Sequence, residues 1–329
     1  MQTPYASGVR ALTLPTHGIL RLLAAVVLWF SFAAHAKPVE MVIPLAPGGA
    51  MDVAGRTVAE EISKRIGEPI VILNKAGAGT MLGTRFVAEQ GAADGRTLLL
   101  GAMAMTTGEF GAGGTPFDIS TLSPVAYVGW QVTVLYVRAD LPVNTMAEFV
   151  QWAKANPNGV NFGSSGNGSS PHLAAEYVAA QTGIKITHIP YAGSSAFIPA
   201  LVGGHIDAVF DAPSTRALVK SGKLKALMVG SSRALPDWPE LPTADAAGLP
   251  GFRSGTWYGV FVPAKTPADT VRRINADVNA ALLATTVRDK LVSLGIEPVG
   301  GTPADFGNLI ATEREKLRTL VKARSIVFN

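Results

Sequence analysis

The residues of this chain best suited to chemistry are concentrated in Asn161-Phe162-Gly163-Ser164-Ser165-Gly166-Asn167-Gly168-Ser169-Ser170-Pro171-His172. Its glycines let backbone approach a ligand closely. Ser170-Pro171 opens a helix with residue types favoured at the N-cap and at the first helical position. The helix then turns free N–H groups and a partial positive charge towards the loop, which is an anion-binding arrangement. The plainer alternative is a flexible connection between a strand and a helix. His172 falls in the first helical turn, where it either donates to a bound carboxylate or covers the helix end. Asp211, at the end of the apolar run Ile206-Asp207-Ala208-Val209-Phe210, either meets a ligand ammonium or hydroxyl or caps the turn at Ala212-Pro213. Asp52 reads first as a helix-start residue and second as a ligand contact. Tyr191, after Pro190, either lines a pocket or packs, and Trp257 reads as core.

Catalytic patterns are missing from the same inventory. The chain has no cysteine, so disulfides, thiol nucleophiles, thiolate metal sites and a lipoprotein anchor are excluded. The histidines beyond residue 36 are His172, His188 and His205, and none has metal-ligand spacing. Gly163-Ser164-Ser165-Gly166 and Gly193-Ser194-Ser195 both miss the spacing of a nucleophile elbow, and no phosphate-binding G-K-[ST] occurs. Gly77-Ala78-Gly79-Thr80-Met81-Leu82-Gly83 imitates a dinucleotide fingerprint, but its third glycine is one residue late and no acidic residue ends the next strand. No cofactor and no metal are expected. A Ser–His pair is offered by Ser169 or Ser170 near His172, without an evident acidic orienter, so an exported serine hydrolase is the weaker reading.

The elements that would carry these residues alternate. Val39–Pro44 reads as a buried strand, Pro47-Gly48-Gly49 turns it into a helix with Ala54, Val58, Ile62 and Ile66 on one ridge, and Ile70–Leu73 is the next strand. Gly77-Ala78-Gly79 leads into a second helix and Thr97–Leu100 is a third strand. The order β–Gly loop–α–β–Gly loop–α–β returns over 159–211, with Gly193 heading the second helix of that half. Such alternation implies parallel pairing, with ligands beyond the C-terminal strand ends, where the glycine loops lie. The passage 124–137 reads as extended chain, and 224–229 and 257–262 as strands. Two amphipathic helices, about 267–284 and 303–323, end the chain. The tail is too small for a third domain. The expected organisation is an α/β protein of two lobes, each a mixed sheet flanked by helices. Lobe 1 would be 37–136 plus 231–329 and lobe 2 would be 137–230, joined by two extended crossings.

With 329 residues, 48% hydrophobic and 16% charged, the chain can bury a large core. Arg10 and Arg21 precede the apolar run 22–34, and Ala34-His35-Ala36 has the small-x-small form of a signal-peptidase site, so 1–36 reads as a secretory signal. Removing it leaves 26 basic against 24 acidic residues, too slight a bias for nucleic acid. An exported protein without cysteine fits a bacterial periplasm.

Several motifs together resemble one family. Pro44-Leu45-Ala46-Pro47-Gly48-Gly49-Ala50-Met51-Asp52, Asn74-Lys75-Ala76-Gly77-Ala78-Gly79 and Asp94-Gly95-Arg96-Thr97-Leu98 look like first-lobe signatures of the Bug family, the solute-binding proteins of tripartite tricarboxylate transporters. The 161–172 stretch, Pro190-Tyr191-Ala192-Gly193, Phe210-Asp211 and Gly248-Leu249-Pro250-Gly251 continue the match over 37–323. The resemblance implies a periplasmic type II Venus flytrap that closes on a small organic anion and delivers it to membrane permease subunits. It implies a monomer that catalyses nothing. It also implies carboxylate-holding loops at Ala46, Pro47, Gly48, Gly49 and Asp52, at Ala102 and Met103, and from Ser164, Ser165, Gly166, Asn167 and Gly168 to Ser169. His172, Tyr191, Gly193 and Asp211 complete the expected site. An exported sensor feeding a membrane signalling partner shares every one of these features. Two departures bear on the ligand: Ala102-Met103-Ala104-Met105 stands where the family supplies hydroxyls, and Ala192 where it often has Lys. Both point to a ligand with fewer charges than citrate, or with an apolar or aromatic body.

Overall fold

Val39–Ile43 (β1) is a five-residue strand whose Met41, Val42 and Ile43 are wholly buried, as a strand covered on both faces must be. The computed structural model to which it belongs describes residues 37–107 and 118–324; the export segment expected at 1–36 lies outside the described residues. Helix α1 (Ala50–Ile66) buries Ala54, Val58 and Ile62 and stops at Gly67, whose φ of +73° gives the left-handed C-cap that glycine adopts without strain. β2 (Ile70–Asn74), α2 (Met81–Gln90) and β3 (Thr97–Ala102) complete the first repeat. The extended passage resolves into β4 (Leu122–Val132) and β5 (Val134–Arg138). After α3 (Met146–Ala155) come β6 (Val160–Ser164), α4 (Ser170–Thr182), β7 (Ile186–Pro190), α5 (Ser194–Val202), β8 (Ala208–Asp211) and β9 (Leu224–Val229). The chain returns through β10 (Gly255–Pro263), α6 (Ala268–Leu283), α7 (Thr285–Ser293), β11 (Ile296–Pro298) and α8 (Pro303–Arg324).

Two mixed sheets result, with strand orders β11-β4-β10-β3-β1-β2 and β7-β6-β8-β5-β9. In each, the strands of the repeat pair in parallel (β1 with β2 and β3, β6 with β7 and β8), while β10 and β5 join antiparallel. One apolar cluster covers each face of each sheet.

The crossings differ from expectation. The first lies at Thr133, before rather than after residue 136, because Val134–Arg138 pairs with β8 and β9. The second is shifted further. Trp238, Leu241, Ala244, Leu249 and Phe252 of the proline-rich passage bury against the second sheet, so that passage stays with the second lobe and the return falls at Ser254. The crossings are bonded side by side: Thr133 N–H donates to Ser254 O at 3.2 Å, and the two side-chain hydroxyls lie 2.6 Å apart. Of the elements named above, three escape the periodicity reading. Two are short, β11 and α7. The third, α3, is announced by a capping box in which Thr145 and Glu148 bond each other's backbone.

Candidate functional site

A cavity lies between the two sheets at the C-terminal ends of the parallel strands, and three helices begin at its wall. α1 starts after Gly49, α4 after Ser169 and α5 after Gly193; all three N-cap residues line the cavity, and none makes a side-chain cap hydrogen bond. First-turn N–H groups have no carbonyl four residues back to bond, so each helix offers donors and the positive end of its dipole. No Lys or Arg is among the described residues lining the cavity. The remaining wall is mixed: Gln131, Thr256 and Tyr258 from the first sheet, Phe210 and Asp211 from β8, and Phe197 from α5. The cavity volume is about 60 Å³, room for roughly five waters.

The lobes touch around this cavity. Ala46 N–H donates to Ala192 O at 3.1 Å, and Ser170 Oγ donates to Gly255 O at 2.5 Å. A Cβ on Gly49 would stand 2.7 Å from Ser194 Oγ, and one on Gly79 only 2.1 Å from Asn167 O. Glycine is required at Gly79 because another main chain occupies the space a side chain would need.

The arrangement is matched elsewhere. Residues 54–326 fit the family described as "Tripartite tricarboxylate transporter family receptor". The chain belongs to that family. The UPF0065 protein in the tcbD–tcbE intergenic region of Pseudomonas sp. strain P51 is 36% identical over 88% of this chain and 87% of its own length. Protein BugT of Bordetella pertussis is 32% identical over 87% of this chain and 89% of its own. Among solved structures, Rpa4515 of R. palustris with adipate superposes with a TM-score of 0.84 at 29% identity, covering 88% of this chain and 98% of its own. MatC of Rhodopseudomonas palustris with bound malate gives 0.80 at 29%, covering 86% and 98%. This chain is therefore a periplasmic solute-binding receptor with the two-lobe α/β fold. Among its described residues no helix is long and apolar enough to cross a membrane, and no cluster of metal-ligating side chains occurs.

Of the site residues read from sequence, Ala46, Gly49, Asp52, Ala102, Ser165, Ser169, Gly193 and Asp211 line the receptor's cavity. Pro47 and Gly48 are exposed, and Asn167 is exposed with its carbonyl against Gly79. Gly166 and Gly168 are backbone contacts with Gly79 and Thr107 on the other jaw, not cavity wall. Met103 turns away to pack on the cluster containing Trp257 and Phe306, and Met105 is buried in it; of the 102–105 run, Ala102 and Ala104 line the cavity. Tyr191 packs on the second lobe's core, and its N–H donates to Ser164 O at 2.9 Å.

Asp52 is committed to its own loop. Its carboxylate accepts from Gly48 N–H (2.9 Å), Arg56 Nε (2.9 Å) and Asn74 Nδ2 (2.8 Å). Burial acts to raise its pKa, but these donors outweigh burial and hold the carboxyl below its usual range. Asp211 is the opposite case. Burial pushes it up to about 6, against hydrogen bonds from Thr215 Oγ1 (2.6 Å) and the Ala212 amide. It is the acidic cavity group with unspent capacity for a ligand donor.

Ser164 and His172 lie behind the loop rather than in the cavity. Ser164 Oγ accepts Gly166 N–H at 3.0 Å and stands 2.5 Å from His188 Nε2. His172 Nδ1 accepts Gly168 N–H at 3.1 Å, which places the ring's proton on Nε2, 3.6 Å from Glu176; its ring stacks on His188 with centroids 3.7 Å apart. The contact between Ser164 and His188 thus involves a serine with no exposed surface, while Ser170 Oγ is bonded to Gly255 O and Ser169 Oγ has no hydrogen-bond partner. Burial, and next the neighbouring His172, push His188 down to about 4, although Glu176 opposes this. A depressed folded pKa contributes stability above the unfolded value, lost as pH falls through the folded one. The receptor should therefore lose up to about 3 kcal/mol between pH 6.5 and 4 through this residue, and His188→Gln should flatten that limb in pH-dependent thermal melts.

Sequence reasoning missed Thr80, Gln131, Thr133, Ser194, Thr256 and Tyr258 as cavity residues. One signal was available for Tyr258: in a strand, neighbours of a core residue such as Trp257 face the other side.

Proposed function

We propose that the receptor binds a small carboxylate in this cavity, holds it by backbone amides and hydroxyls as the lobes meet, and delivers it to membrane subunits of its transporter without catalysing a reaction. The observation that carries this reading is the convergence of three helix N-termini on a cavity without a cation among its described lining residues. Such a site neutralises an anion with dipoles that are already oriented, and avoids the cost of burying a separate charge. The adipate and malate found with relatives agree with the ligand class.

The rest of the wall narrows the choice. Phe197, Phe210, Ala102 and Ala104 are its apolar part, and Asp211 is its acidic group with capacity to spare. A second ligand carboxylate would meet Asp211 as a like charge, whereas a hydroxyl or ammonium would donate to it. The favoured ligand is a compact acid with one free carboxylate and an apolar or hydroxylated body. A thermal-shift and calorimetry panel of butyrate, benzoate, lactate, malate, adipate and citrate tests this. The monoacids should stabilise the receptor more than citrate does, and the reverse order would sink the ligand assignment. No response from any carboxylate would sink the function.

A further inference from the structure

Gly77-Ala78-Gly79-Thr80 fails as a dinucleotide fingerprint, yet it is an unusual piece of backbone. Its four successive φ angles are +144°, +48°, +60° and +85°, and Ala78 and Thr80 are the two non-glycine residues with positive φ among the described residues. For a β-branched residue that conformation is an outlier which persists only where the surroundings impose it. Thr80 carries a second penalty. It is 1% exposed, it lines the cavity, and its Oγ1 has no hydrogen-bond partner. The Thr80 carbonyl is satisfied, accepting from Thr84 Oγ1 at 2.9 Å, whereas its side-chain hydroxyl is not.

A matching orphan lies on the other lobe. Ser169, at the N-cap of α4, is 2% exposed and lines the same cavity, and its Oγ makes neither a cap bond nor any other hydrogen bond. Buried hydroxyls are nearly always partnered, so two orphans on residues that line one cavity point to a shared acceptor there. The turn that carries Thr80 is also a contact point between the lobes: a Cβ on Gly166 would lie 2.6 Å from Gly79 Cα.

We infer that Thr80 Oγ1 and Ser169 Oγ are a pair of ligand-binding hydroxyls, one from each lobe, donating to the same carboxylate, and that Thr80 determines which acids the receptor accepts. The inference rests on the carboxylate reading of the cavity. Each hydroxyl gives one proton to one carboxylate oxygen, so the ligand bridges the lobes at the seam. The left-handed turn is the means of aiming a β-branched hydroxyl at a point that an ordinary helix entry would leave to backbone.

The test is calorimetry and thermal melting of Thr80→Val, Thr80→Ser and Thr80→Gly, with butyrate, malate and adipate as probes. Valine keeps the branching and removes the donor. It should weaken the best-bound probe about 10-fold or more, as loss of a hydrogen bond to a charged group does, with the ligand-free melting temperature unchanged or raised. Serine should stay within about threefold of wild type. Glycine should relieve the backbone and raise the ligand-free melting temperature while weakening the probe as valine does. Affinity of Thr80→Val within twofold of wild type would overturn the role of Thr80 alone, as would a ligand-free melting temperature lowered by that substitution, because the hydroxyl would then have a partner in the protein. Failure of all three probes to bind wild type would overturn the carboxylate reading, and this pair with it.

Discussion

Gly79→Ala should weaken ligand binding by about 100-fold while leaving the ligand-free receptor folded. The added Cβ would stand 2.1 Å from Asn167 O across the seam, against main chain that has no rotamer with which to yield. The jaws must then separate by about 1 Å, since ordinary carbon–oxygen contact needs over 3 Å. The bonds Ala46 N–H to Ala192 O and Ser170 Oγ to Gly255 O cross the same closed gap. Losing two such bonds and part of the ligand's bridging amounts to roughly 3 kcal/mol. The local backbone cost at a φ of +60° is about 1 kcal/mol and acts with or without ligand.

Gly183→Ala is the matched control. Its φ is +70° and nothing lies within 4 Å of its added Cβ, so it carries the backbone cost without the collision. Calorimetry on the best-bound acid, together with small-angle scattering to follow compaction on binding, separates the two. Equal affinities for the two variants would show that the seam does not govern capture.

The second large effect belongs to Asp211. Its carboxyl is pushed up to about 6 chiefly by burial, from a usual value of 3.8. A folded pKa raised above the unfolded one contributes stability below about pH 3.8, and that contribution is lost as pH rises through about 6. Above pH 6 the receptor therefore carries a buried, ionised carboxylate at a cost of about 3 kcal/mol. Asp211→Asn keeps an acceptor for Thr215 and removes the charge. At pH 7.5 it should raise the ligand-free melting temperature by at least about 5 °C, and the gain should shrink to nothing as pH falls towards 4. This slope runs opposite to that of His188, so the two are best resolved in the double variant. For an acid that donates a hydroxyl to Asp211 the same substitution should reduce affinity. A gain in stability that is constant with pH would mean that burial does not raise the Asp211 carboxyl in the folded receptor.

Keeping an unneutralised carboxylate in a cavity built for anions is costly. The three N-caps line the cavity together with Asp211, whose chain neighbours Phe210 and Ala212 also line it, as does Tyr258.

Local rules are legible in the amino-acid sequence itself. Ala54, Val58 and Ile62 at spacing four predict the buried ridge of α1, and Gly67 its left-handed end. Both depend on neighbours within a few residues, which is why periodicity and turn chemistry read them correctly. Gly49, Ser169 and Gly193 read as parts of loops at strand ends for the same reason, and all three line the cavity. The crossings fall elsewhere than the sequence pattern puts them, because what holds Val134–Arg138 and Leu241 is pairing and packing with residues far along the chain.

Which loop residues face the cavity was decided by the tertiary structure. Ser164 and Ser165 are adjacent, and in extended chain adjacent side chains point to opposite sides. Ser165 reaches the cavity while Ser164 is spent on His188 and the Gly166 amide. His172 has the right position in sequence for a ligand, but its imidazole accepts from Gly168 and stacks on His188. Thr80 reads as part of an ordinary helix entry and proves to be a strained cavity residue, because the 78–80 turn is pressed against the opposite lobe. The amino-acid sequence by itself determined the alternating elements, the glycine loops and the lack of recognised catalytic motifs, all of which follow from short-range chemistry. Only folding brought two loops 87 residues apart, at Gly79 and Gly166, into contact, and it closed a cavity to whose wall each lobe contributes only part.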